Sequence, residues 1–149
     1  MFDRFMARWE QGARGYAFRC FLDHAAWAPE DGAALNNMAW MLATAEPDGL
    51  EHARMDEWPG TARAWAERAL ELSGGEVAGV WDTVAAARAN TGDFAGAVAA
   101  AEEGLSVAKR TGDEALAAAM PSRLEAYRAG RPWREPRRRE AEADENRGQ

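Results

Sequence analysis

Apolar residues return at every third or fourth position along this chain, as in Phe2, Phe5, Met6 and Trp9, then Tyr16, Ala17, Cys20, Phe21 and His24, then Leu35, Met38, Ala39 and Leu42. That is the period of helices that each bury one stripe, and no stretch alternates with the period of two that a strand requires. Gly, Pro and Asp punctuate the pattern. Gly92 before Asp93 and Gly112 before Asp113 each read as a left-handed helix stop followed at once by an N-cap, the joint of an antiparallel hairpin. The spacing predicts helices over 2–11, 14–27, 33–44, 61–73, 77–91, 94–110 and 114–129. Pro121 falls inside the last, where Leu116, Met120, Leu124 and Tyr127 keep one face across it, so a kink is expected rather than a break. From Arg131 onward an arginine block gives way to an acidic one with little to bury after Trp133, and 131–149 reads as a disordered charged tail.

Composition sharpens this picture. Alanine makes up about a quarter of the 149 residues, and β-branched residues are scarce, which fits an all-α chain. The formal charge of −7 argues against nucleic acid, whose nonspecific affinity comes from neutralising phosphates. Cys20 is the one cysteine, so an intramolecular disulfide and a multi-thiolate metal site are excluded. No apolar run reaches the ~20 residues of a membrane span. Asp3, Arg4 and Arg8 interrupt what a secretory signal would need, and a cytoplasmic location is expected.

The helices also share a recurring frame. Trp81, Val84, Ala85 and Arg88, then Gly92, then Ala97, Ala101 and Gly104 match W-x-x-L-G-x-x-Y, a glycine turn, and A-x-x-x-F-x-x-A. Leu35, Met38 and Ala39 fall on the same first-helix positions, and Ala62, Ala66 and Ala69 on the second-helix ones. The chain thus resembles the tetratricopeptide repeat family, and more specifically the C-terminal module of large bacterial multidomain proteins. Arg88, Ala101, Gly104 and Lys109 depart from the consensus. The resemblance implies a short right-handed TPR-like α-α superhelix of antiparallel hairpins spanning 1–130. Its parts would be a truncated unit (1–31), a unit with an inserted loop at 46–60 (32–75), a second full unit (76–111) and a C-terminal capping helix (113–130). It further implies a protein-protein interaction module that takes a peptide or partner protein in its concave groove.

Carried over in this frame, the partner-binding groove would consist of Phe2, Met6, Trp9, Asn36, Trp40, Asp82, Ala86 and Ala89. The residues themselves allow a second reading, in which Trp40 is core and Asn36, Asn37, Asp82 and Thr83 bond between helices. No cation accompanies Asn36, Asn37 and Asp82 in this frame, so a carboxylate ligand is disfavoured and a basic or apolar peptide suits the groove better. The stripe of Phe2, Phe5, Met6 and Trp9 lacks a preceding unit. It either packs on its own hairpin or serves a structural role as a homo-oligomer contact.

Catalytic chemistry has no support: there is no Ser, His and Asp set, no phosphate loop and no His pair on one helical face. His24 and Cys20 read as packed residues. Glu46, Asp48, Glu51, His52, Asp56 and Glu57 crowd the insertion without calcium or zinc spacing, and read as a solvated loop with Trp58 tucked inward. No metal, cofactor or catalytic residue is therefore assigned.

Overall fold

A computed structural model describes residues 4, 7–9, 13–45 and 57–135 of the chain, and these are helical apart from short joints and the final segment. The elements are α1 (Arg14–Trp27), α2 (Gly32–Thr44), α3 (Trp58–Ser73), α4 (Ala78–Asn90), α5 (Phe94–Thr111) and α6 (Glu114–Arg128). Residues 7–9 are helical as well. Phe2, Phe5, Met6 and the insertion residues 46–56 lie outside the described residues.

Side-chain caps set three of the six helix starts. Asp31, Asp93 and Asp113 each accept a hydrogen bond from the backbone N–H three residues on, at Ala34, Gly96 and Leu116. His24 lies 3.2 Å from the other oxygen of Asp31, and these bonds, the backbone one foremost, hold that carboxyl below its ordinary value. Pro121 sits within a continuous α6. One boundary differs from expectation, because α3 begins at Trp58 and not at Thr61. Proline at the first turn lacks an N–H that would have gone unsatisfied, so Pro59 opens the helix where a loop was expected. Trp58 is then carried into the core, with its ring 5.4 Å from those of both Phe18 and Trp9.

Packing order follows chain order. Each helix lies against the next from α1 to α6, and alternate helices also meet, α2 with α4 and α4 with α6. The backbones of α2 and α3 do not approach those of α5 and α6, because α4 lies between them. The central position of α4 explains its sequence, AGVWDTVAAARAN, which has small residues on every side: Ala85, Ala86, Ala87 and Ala89 are all buried. By contrast α3 and α5 bury single stripes, Ala62, Ala66 and Ala69 in one and Ala97, Ala101 and Gly104 in the other. Larger side chains, Phe21, Met38, Val84, Met120 and Tyr127, fill the spaces between these close approaches.

Two departures from the repeat consensus gain reasons here. At Gly104 a Cβ would lie 3.0 Å from Trp81 Cβ and 3.3 Å from Met120 Cε, so glycine lets α4 and α6 both close onto α5. Arg88, where an aromatic was expected, reaches Glu67 at 3.6 Å and the Gly96 carbonyl at 3.4 Å. Arg63 extends this group to Glu67, Thr91 and Asp93, fixing α3 against the α4–α5 turn. Such half-exposed pairs contribute at most about 1 kcal/mol each. Their effect is on register.

The chain end departs most from expectation. Arg131–Glu135, expected as the start of a disordered tail, is docked: past the C-cap Ala129 of α6 the chain turns at Gly130, φ 68°, with bonds from Gly130 N to Tyr127 O and from Arg131 N to Ala126 O. Glycine enters that left-handed turn at no steric cost. The turn sends the following segment back across α4 to α2. Residues 136–149 lie outside the described residues.

Replacing Gly104 by Val is expected to lower stability by about 1–3 kcal/mol through overpacking against Trp81 and Met120. Urea unfolding measures it, and an unchanged midpoint would show that the crossing has room to spare.

Candidate functional site

The helix that anchors the site, α2, ends without a capping device of its own. Its last turn has no basic residue, and Ala45 leaves in an extended conformation. The carbonyls of the last turn of a helix have no partner within it, and carry the negative end of its dipole. The Arg131–Glu135 segment supplies those partners. Arg134 Nη1 donates to Ala43 O at 2.8 Å, and the backbone N–H of Glu135 donates to Thr44 O at 3.1 Å. Arg134 Nη2 also donates to Asn90 Oδ1 on α4 at 2.9 Å. A cation and a main-chain N–H thus meet three acceptors arranged at the ends of α2 and α4.

Beside this seat lies a buried ion pair. Arg123 of α6 donates through Nη1 to Asp82 Oδ2 of α4. Its guanidinium lies over two indoles, 4.9 Å from the Trp40 ring of α2 and 5.4 Å from the Trp133 ring of the segment after α6. Glu135 approaches the same guanidinium at 3.7 Å. One side chain therefore joins α2, α4, α6 and the segment after α6. Stacking a guanidinium on an indole is worth roughly 0.5–2 kcal/mol per ring, more as water is excluded. Burial pushes the Asp82 carboxyl up to about 6 despite the opposing pull of Arg123. Burial, with Asp82 close by, also raises the Tyr127 phenol well above its usual value. Asp82 Oδ1, Arg123 Nε and the Tyr127 hydroxyl have no hydrogen-bond partner among the described residues. Such a pair sets geometry at a desolvation cost.

The structure redistributes the sequence-predicted groove. Phe2 and Met6 lie outside the described residues. Trp9 is not at this face but stacks on Phe21 at 6.0 Å and meets Trp58, where the rings join the N-terminal residues to α3. Trp40 borders the seat, half-buried, and Asn36 is half-buried one turn before it with Oδ1 unpartnered among the described residues. Asp82, Ala86 and Ala89 are 5%, 1% and 2% exposed, so they form the floor rather than a lining that a ligand touches. The expectation that no cation accompanies Asp82 is corrected, because Arg123 reaches it from a helix that the repeat frame assigned only as a cap.

Sequence reasoning missed Arg123, Asn90, Trp133 and Arg134. A signal existed for two of them. Arg123 falls three residues after Met120 and four before Tyr127, a charge on a buried stripe, and Trp133 is a large apolar residue in a segment otherwise polar. Among the described residues no group of three or more His, Cys, Asp or Glu could hold a metal ion, and no helix is long and apolar enough to cross a membrane. The chain matches no family model, no curated protein and no solved structure.

Replacing Arg123 by Met leaves Asp82 buried without its counter-charge and is expected to cost about 3–5 kcal/mol at neutral pH. The loss should shrink in acid, where the carboxyl is protonated. Asp82 itself sets a slope: between its ordinary 3.8 and about 6 the folded chain holds a proton that the unfolded chain releases, so stability falls as pH rises through this window. Asp82→Asn should remove that slope. Urea midpoints on either side of the window measure both effects, and identical pH profiles in the parent and Asp82→Asn chains would contradict the assignment.

Proposed function

We propose that this chain is a protein-interaction module of tetratricopeptide type, whose face across α2, α4 and α6 receives an extended peptide. The observation that carries this reading is the seating of Arg131–Glu135 on that face through main-chain and side-chain bonds to Ala43, Thr44 and Asn90. A segment with a ring, a cation and a main-chain N–H already finds complementary groups there, and short peptides are commonly gripped by such pockets combined with backbone hydrogen bonds. The order of packing adds support. In a solenoid each helix touches its sequence neighbours and alternate helices line one side, and the close approaches at Ala39, Ala62 and Ala66, and at Ala85, Ala97 and Ala101, stand at the frame positions where small residues let helices cross.

A preference for cations follows from the helix-end carbonyls of α2 and from Asn90. It does not follow from Asp82, whose charge Arg123 already answers. Catalysis has no part in this reading, and neither a cofactor nor nucleic acid is proposed.

A second reading, self-association, has its own observation. Trp27 is 83% exposed and Tyr16 61% exposed on α1. Aromatic residues left in water on one short helix are candidate interface anchors. Light scattering of the parent chain against Trp27→Ser decides it: a dimer lost in the variant supports self-association, and a monomer at all concentrations removes it.

For the module reading, the test is affinity capture of partners with the parent chain, with Trp40→Ala and with Tyr16→Ala. Recovery should fall at least tenfold with Trp40→Ala at unchanged helical content, and stay unchanged with Tyr16→Ala. Equal recovery by all three chains would remove this face from consideration.

A further inference from the structure

We infer that the seat recognises an aromatic–arginine pair in an extended peptide, and that Trp133–Arg134–Glu135 of the chain itself is a displaceable internal occupant competing with that peptide. The proposal rests on the module reading above and specifies its ligand and its control.

The chemistry of the seat selects the ligand. Three acceptors, Ala43 O, Thr44 O and Asn90 Oδ1, face the segment, and a guanidinium with its planar fork can serve two of them while the next backbone N–H serves the third. A lysine would reach with a point charge and lose the forked geometry. One residue earlier, the Trp133 ring lies 5.4 Å from the guanidinium of Arg123, which also lies 4.9 Å from the Trp40 ring. An aromatic ring is the side chain that completes this stack. The register of ring, then cation, then free N–H is therefore set by groups on α2, α4 and α6.

The occupant is held in a way that allows release. Its contacts include the stack, the hydrogen bonds and the approach of Glu135 to Arg123, and Trp133 and Arg134 both retain exposure to solvent. Tethering adds to its hold: Gly130 turns the chain back immediately before it, and a tether of this length gives an effective concentration on the order of millimolar. A partner peptide with additional contacts would displace it, whereas a free peptide identical to the occupant would need comparable concentrations.

The experiment uses the full chain carrying Trp133→Ser and Arg134→Ser, which empties the seat, and a fluorescent peptide of sequence GRPWRE. Anisotropy should show saturable binding to the emptied chain, at least tenfold weaker binding to the parent chain, and none when Trp40→Ala is added. A scrambled peptide of the same composition should not bind. Should the emptied chain lose helical content, the parent chain gives the second readout: excess GRPWRE, and not the scrambled peptide, should speed hydrogen exchange of the Glu135 amide. A folded emptied chain that ignores GRPWRE, equal affinity of parent and emptied chains, or Glu135 exchange indifferent to peptide would each overturn the proposal. Dimers that form through exchange of this segment between two copies, without peptide binding, would overturn it too. If Trp40-dependent partner capture persists in any of these cases, the module reading stands and this inference alone falls.

Discussion

The position of one guanidinium organises the packing of α2, α4, α6 and the segment after α6. Arg123 enters the interior where Asp82 waits on α4, and its guanidinium lies over the rings of both Trp40 and Trp133. A buried arginine is tolerable only where its charge is answered and its faces are covered. Those conditions draw on α2, α4, α6 and the segment after α6 at once. Remove any one contributor and the others lose a partner. The consequence is that residues 131–135 become part of the fold, and that α6 is both a cover for α4 and the carrier of the residue that closes the candidate site.

The rest of the architecture makes this arrangement possible by keeping α4 thin. Its alanines allow α2, α3, α5 and α6 to approach from four directions, and Gly104 extends the same economy of volume to α5. Small side chains contribute little burial individually. What they supply is closeness, so that Met38, Val84, Met120 and Tyr127 can fill the gaps at the density of a protein interior. The aromatic cluster of Trp9, Phe18, Phe21 and Trp58 plays a different part at the other end, where rings and not alanines fasten α1 and the N-terminal residues to α3.

Much of the fold was legible along the chain because its signals are local. Helix periods, the Gly–Asp joints at 92–93 and 112–113, and the persistence of α6 through Pro121 are properties of a few adjacent residues. Pro59 was misleading, since proline marks a loop and a helix's first turn equally well. The site was less legible, for a physical reason: Arg123, Asn90, Trp133 and Arg134 acquire meaning only from partners 41 or more residues away, as in the bonds from Arg123 to Asp82 and from Arg134 to Asn90 and Ala43. A repeat frame lists the positions that line a groove in each unit. It says nothing of how deeply each of them lies, and Ala86 and Ala89 are buried on the central helix α4.

The shared guanidinium is tested most directly by a double-mutant cycle between Trp40→Ala and Trp133→Ala, read as unfolding free energies in urea. Both rings lie against the same guanidinium, so losing the first should already loosen what the second holds, and the double variant should be destabilised by less than the sum of the singles, with a coupling of at least about 0.5 kcal/mol. Additivity within about 0.3 kcal/mol would mean that the two indoles do not share a partner, and would contradict the account.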